Sequence, residues 1–112
     1  MKYIITENRL DDIVDKYITV KFNDLKVVDE SNKFVERNVW VKSNGEASIF
    51  TTKRKYDETI VDVFVEDIFF NSISDMFSIG YEEIQEQLIR WFENHMNIKV
   101  EVIQIFDNVD IA

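Results

Sequence analysis

Apolar and polar positions near the start of the chain repeat at the spacing of an α-helix. The pattern predicts a first helix from about Glu7 to Ile18. Thr6 precedes it as an N-cap residue, and Ile5 and Leu10 fit a hydrophobic staple. The apolar side of this helix comprises Leu10, Ile13, Val14, Tyr17 and Ile18.

The middle of the chain is predicted to be β-structure. Residues 18–22 (ITVKF) are expected to begin a strand directly after the helix, and residues 25–35 (LKVVDESNKFV) to form two extended pieces around the turn-prone DESN. Asn44-Gly45 separates NVWVKS from EASIFTT and predicts a hairpin with a tight turn in which both central residues have positive φ.

A third strand is predicted over TIVDVFV, residues 59–65, because its side chains alternate in character. Three valines (Val61, Val63 and Val65) occupy one face, and the opposite face comprises Ile60, Asp62, Phe64 and Glu66. Such alternation is typical of an antiparallel sheet with one packed face and one face in water.

The last third of the chain predicts two helices and a closing strand. A short helix is expected around Ser72 to Phe77, with Ser72 and Asp75 spaced as a capping box, and Gly80 ends it. YEEIQEQLIRWFENHM, Tyr81 to Met96, predicts a long amphipathic helix. NIKVEVIQIF predicts a final strand in which Ile98, Val100 and Val102 alternate with polar residues.

This order of elements predicts one α+β domain over residues 1–112. We expect a mainly antiparallel sheet of about four to five strands. The N-terminal helix and the long helix of the C-terminal half are expected to pack on it.

Composition supports a folded chain: 112 residues, of which 46% are apolar and 13% aromatic, suffice for one core. The sequence contains no cysteine, which excludes disulfides, thiolate metal sites and a cysteine nucleophile. It has neither a signal-peptide apolar segment nor an apolar run long enough to span a membrane. These features predict a soluble, intracellular protein.

The net charge is −9, from 22 acidic and 13 basic residues. Proteins bind phosphate backbones by neutralising them with Lys and Arg, so direct binding to nucleic acid or to an anionic membrane is not expected. The acidity serves solubility or attracts a basic partner.

The long helix is the densest place for candidate chemistry, and it contains His95, the single histidine. On a helical wheel His95 falls at the end of the apolar face, which predicts a structural role. A zinc site would require a second His or a Cys, and a di-iron helix would require Glu at the position of Phe92. Glycines occur only at positions 45 and 80, so no phosphate-binding loop is present. We therefore predict no catalytic residue, cofactor or metal.

Carboxylates form two stripes at helical spacing: Glu82, Glu86 and Glu93 on the long helix, and Asp11 and Asp15 on the first. A solvated face is the ordinary interpretation of such stripes, and a protein-binding face is the sharper one. Trp40, which points away from Val39 and Val41 on its strand, joins these acids as a possible partner-binding residue.

The opening MKYIITENRL resembles the start of many small, uncharacterised proteins of tailed bacteriophages. The resemblance covers about ten residues, implies a viral protein in the host cytoplasm or the virion, and supplies no site residue.

The leading hypothesis is a non-enzymatic protein-binding module, an accessory or structural component of a phage, that self-associates or docks on a larger protein. The alternative is an acidic inhibitor of anti-defence or immunity type that occupies the basic groove of a nuclease. An enzyme that uses carboxylates and His95 is the third hypothesis. The expected partner is a protein or a second copy, and a small-molecule ligand is not expected.

Overall fold

Three α-helices and five β-strands make up the computed structural model, which describes residues 7–54 and 61–107. In chain order they are α1 (Glu7–Asn23), β1 (Lys26–Asp29), β2 (Val35–Val41), β3 (Ala47–Arg54), β4 (Asp62–Glu66), α2 (Asp67–Phe77), α3 (Tyr81–Met96) and β5 (Ile103–Phe106). The strands form one sheet in the order β1-β2-β3-β4-β5. The predicted α+β class and the five-stranded, mostly antiparallel sheet are confirmed.

Helix α1 is longer than predicted, and the strand expected over residues 18–22 is wrong. Val14, Ile18 and Phe22 are all buried, at 0%, 0% and 6% exposure. Their spacing of four residues continues the helical face, so burial of that face outweighs the β-preference of ITVKF. Thr6 and Ile5, the predicted cap and staple, lie outside the described residues.

The hairpin predicted at Asn44-Gly45 is confirmed, but its turn is of a different kind. Gly45 has φ of +86°, and Asn44 is not among the positive-φ residues. The Gly45 N–H donates to the Lys42 carbonyl at 2.9 Å, and the Lys42 N–H donates to the Glu46 carbonyl at 2.9 Å. This is the three-residue connection with a left-handed third residue and a bulge, and the register shifts just after Trp40.

The predicted strand over TIVDVFV is confirmed as β4 from Asp62 onwards, while Thr59 and Ile60 lie outside the described residues. The helix after it starts at Asp67 rather than near Ser72, so the capping box is wrong. Ser72 lies within the helix, where its hydroxyl donates to the Phe69 carbonyl at 2.6 Å. Burial of Phe69, Phe70 and Ile73 extends the helix towards its N-terminus.

Helix α3 has the predicted bounds, and Asn97 ends it in the left-handed conformation. The final strand is shorter than predicted, because it begins at Ile103. The expected alternation is absent: Val100 is buried at 4%, whereas Val102 is 53% exposed. β5 pairs with β4 in parallel, since α2 and α3 cross over between the two strands.

The core lies between the helices and one face of the sheet. The strands contribute Ile49, Val63, Val65 and Ile103, the segments before β4 and β5 contribute Val61 and Val100, and the helices contribute Val14, Ile18, Phe22, Phe69, Phe70, Ile73, Ile84, Leu88, Trp91 and Phe92. Phe22 stacks on Trp91 with ring centroids 4.1 Å apart and meets Phe92 edge-on at 5.6 Å. The aromatic residues thus join α1 to α3 inside the core.

Candidate functional site

The face of the sheet turned away from the helices carries a row of apolar side chains. Strand register aligns one residue from each strand: the apolar Val28, Val39, Phe50 and Phe64, with the polar Gln104 at the β5 end of the row. Their sequence neighbours Ile49, Val63 and Val65 belong to the helix-side core, whereas this row is outside it. We call this side of the sheet the open face, because no described helix packs on it.

Three phenylalanines form a cluster on the open face. The rings of Phe50 and Phe64 are stacked with centroids 4.5 Å apart and 17° between their planes, and Phe106 approaches Phe50 at 5.1 Å. All three rings are half-buried, and Val39 beside them is 4% exposed. The cluster is therefore ordered by its own contacts while the outer side of each ring stays accessible.

Arg37 lies over this cluster. Its guanidinium carbon is 4.7 Å from the centre of the Phe50 ring, a cation–π contact. Its Nε is covered yet has no hydrogen-bond acceptor among the described residues, and a carboxylate oxygen of Glu30 lies 3.9 Å away. The charge of Arg37 is thus only partly compensated, at a place where an acceptor from outside can reach its exposed amino groups.

A second feature is a cleft of about 290 Å³ between the end of the sheet and helices α1 and α2. Glu66 lies in its wall at 1% exposure and accepts hydrogen bonds from the Lys42 ammonium at 2.9 and 3.0 Å. The hydrogen bond to Glu66 raises the pKa of Lys42 above its ordinary 10.5, although burial of the ammonium opposes this. The pair ties the end of β2 to the junction of β4 and α2, which is a structural task.

The two predicted acids of α1 are engaged by α3. Asp11 accepts hydrogen bonds from Gln87 and, at 2.7 Å, from Arg90. Asp15 lies 2.9 Å from Nε2 of His95. These carboxylates therefore form a polar seam between the two helices, and the Glu86–Arg90 pairing that helical spacing favours gives way to Asp11–Arg90.

The three predicted glutamates of α3, Glu82, Glu86 and Glu93, are all exposed on its outer side. Trp40 faces the helices, where it packs against the core and meets Phe22 edge-on at 5.7 Å. The structure thus separates the candidate residues into three places: the seam, the outer side of α3 and the helix side of the sheet.

His95 lies at the edge of the seam rather than on the buried face of α3. Its side chain is 38% exposed and stacks on Trp91 with centroids 4.8 Å apart. The Trp91 indole N–H in turn donates to the Thr19 hydroxyl at 2.9 Å. His95 thus contacts Asp15 of α1 and Trp91 of its own helix, and it has a structural role as a link between α1 and α3.

Sequence reasoning missed Arg37, Phe50 and Phe106 as surface features. The available signal was alternation: Phe50 lies between Ile49 and Thr51, both buried on the helix side, so it must point to the other face. Phe64 follows the same rule between Val63 and Val65. That these rings meet requires the strand register, which the sequence pattern alone does not provide.

Within residues 7–54 and 61–107, no three His, Asp or Glu side chains come together as metal ligands would. None of the helices in these ranges is long and apolar enough to cross a bilayer. Comparison of the chain with protein-family models, with curated proteins and with solved structures finds no match.

Proposed function

We propose that the protein is a non-enzymatic protein-binding module that docks through the open face of its sheet, as an accessory or virion component of a phage. The observation that carries this proposal is the Phe50, Phe64 and Phe106 cluster beneath Arg37, on a face without a described helix. Aromatic residues and arginine are enriched in the centres of protein interfaces, where they supply most of the binding energy.

The distribution of charge supports the same face. The three helices contain ten acidic residues against four Lys and Arg, whereas the five strands contain four of each. The excess negative charge of the chain is therefore concentrated in the helix layer, and the sheet is electrically balanced. A balanced surface with an apolar row costs less to desolvate than an acidic one.

The test compares two variants, one on each side of the molecule. Phe64→Asp places a charge on the open face, and Glu86→Lys reverses a charge on the outer side of α3. Tagged protein is incubated with virion or host extract, and its self-association is measured in parallel. We expect Phe64→Asp to abolish binding and Glu86→Lys to retain it, with circular dichroism confirming that both variants fold.

Wild-type protein that neither self-associates nor captures any protein would overturn the proposal, as would a folded Phe64→Asp variant that binds as well as the wild type.

The acidic inhibitor is the second candidate, and the concentration of acids in the helices favours it. It requires the outer glutamates of α3 to meet a basic groove, with association that weakens as salt is added. The same variants separate the two functions. Loss of binding in Glu86→Lys, with Phe64→Asp unaffected, would identify the inhibitor.

A further inference from the structure

A polar row lies next to the apolar row of the open face. Strand register aligns Arg37 of β2, Thr52 of β3 and Asp62 of β4. Arg37 and Asp62 are therefore two strands apart, about 10 Å at the usual strand spacing of a sheet. Asp62 is exposed and forms no ion pair with any described residue. The open face thus presents a cation and an anion on opposite sides of its central strand.

This arrangement is symmetric about β3. When two copies stack open face to open face, a two-fold axis between the sheets and along β3 places β2 of one copy over β4 of the other. Arg37 of one copy then faces Asp62 of the second, and the reverse pair forms on the other side of the axis. Phe50 meets its own equivalent, and Val39 lies over Phe64 of the second copy.

We infer that the occupant of the open face is a second copy of this chain, in a sandwich of two sheets related by that two-fold axis. The inference rests on the proposed function and names the partner. The exposed amino groups of Arg37 and the carboxylate of Asp62, which forms no ion pair within the described part of the chain, become each other's partners across the interface.

Charge favours this pairing over other ways in which two copies could meet. A chain of net charge −9 repels a second copy, and most of that excess lies in the helices. Packing the sheets against each other leaves both helix layers on the outside, so the acidic surfaces are as far apart as the fold allows.

The size of the face is sufficient for a dimer that dissociates on dilution. Five strands about 4.8 Å apart and four to eight residues long give a face of roughly 450 Å². Two such faces bury about 900 Å², which is in the range of weak, transient complexes. We therefore expect a reversible equilibrium between monomer and dimer.

The experiment is sedimentation velocity over about a hundredfold range of protein concentration. Wild-type protein is expected to shift from monomer to dimer. Arg37→Asp and Asp62→Arg each replace two attractive pairs by two repulsive ones, and each is expected to weaken the dimer by at least about tenfold. An equimolar mixture of the two variants restores both pairs, because one copy carries two acids and the other two arginines. The mixture is therefore expected to dimerise as the wild type does.

Glu36→Arg is the matched control, since it reverses a charge on β2 at the neighbouring position, which points to the helix side. It is expected to leave the dimer unchanged, and thermal melting confirms that each variant is folded. Failure of the mixture to restore the dimer, or an equal effect of Glu36→Arg, would overturn the inferred arrangement. Wild-type protein that stays monomeric, but captures another protein that Phe64→Asp does not, would overturn the second copy as partner and leave the proposed function intact.

Discussion

The carboxylate of Glu66, at 1% exposure, receives two hydrogen-bonding contacts from the ammonium of Lys42, which is itself 27% exposed. Removal of the Lys42 ammonium takes a positive charge away from a carboxylate that is almost fully buried, and such a loss is destabilising because a buried carboxylate is poorly hydrated. The pair also joins two parts of the chain that are 24 residues apart.

Lys42→Met is expected to lower the free energy of unfolding by about 3 kcal/mol, since it removes the ammonium that contacts the buried Glu66 carboxylate. The double variant Lys42→Met/Glu66→Leu removes both charges and is expected to recover most of that loss. Urea denaturation of the three proteins checks this. A double variant that is no more stable than Lys42→Met would contradict the explanation.

The same pair predicts a dependence of stability on pH at the alkaline end. The hydrogen bond to Glu66 raises the pKa of Lys42 from its ordinary 10.5, so folding favours the protonated ammonium. This contribution is fully present below 10.5 and is lost as the pH rises through the raised pKa of the folded state.

The measurement is the difference in unfolding free energy between wild type and Lys42→Met, in steps from neutral pH to the alkaline limit of folding. We expect the difference to stay constant up to about pH 10 and to shrink above it. Other titrating groups are common to both proteins and cancel. If the difference in unfolding free energy shrinks towards acidic pH instead, a group other than Lys42 causes the pH dependence.

The hydroxyl of Thr19 accepts the Trp91 indole N–H and donates to the Asp15 carbonyl, both at 2.9 Å. Thr19→Val keeps the shape but leaves the N–H of a residue that is 4% exposed without an acceptor. We expect a loss of about 1–2 kcal/mol in unfolding free energy. Thr19→Ser retains the hydroxyl and is the control, with a smaller loss expected. A Thr19→Val variant that is as stable as the wild type would show that the hydroxyl contributes nothing to stability.

The two glycines form a matched pair for backbone conformation. An added Cβ would meet nothing within 4 Å at either position, so steric contact is removed as a variable. Gly45 has φ of +86°, and Gly45→Ala is expected to destabilise the protein by about 1 kcal/mol.

Gly80, with φ of −84°, is the N-cap of α3 and supplies no side chain to that helix. Gly80→Ser adds a capping oxygen and is expected to stabilise the protein by roughly a few tenths of a kcal/mol. Thermal melting of both variants tests whether Gly45→Ala lowers the melting temperature and Gly80→Ser raises it. Two changes of the same sign would contradict the conformational explanation.

Local patterns predicted most elements of the fold, and they failed where burial overrides local preference. Tyr81 and Met96 bound α3 as its amphipathic pattern indicates. Residues 18–22 favour a strand by type, but Phe22 belongs to the core and extends α1. Val102 has the character of a strand residue, yet the parallel strand begins one residue later. In these cases tertiary packing determined the outcome.

The candidate site was less accessible to prediction than the fold, because it depends on residues that are distant in sequence. Asp11 and Arg90 are 79 residues apart, so no helical wheel shows that they meet. Phe50 and Phe64 become neighbours only through the β3–β4 register. A pattern assigns each side chain to a face, whereas a site needs the order of the strands and their alignment.

The parallel pairing of β5 with β4 sets an order of events during folding. The pairings β1–β2, β2–β3 and β3–β4 join strands that follow each other closely in the sequence, so these contacts close short loops at small entropic cost. Val63 and Ile103, by contrast, are partners about forty residues apart, and both helices α2 and α3 lie between them. The side of β4 that faces away from β3 therefore remains unpaired until α2 and α3 have formed and β5 has reached its position beside β4. The meander is expected to form first and β5 to join last, which makes β4 the edge most exposed to incorrect pairing while the chain folds.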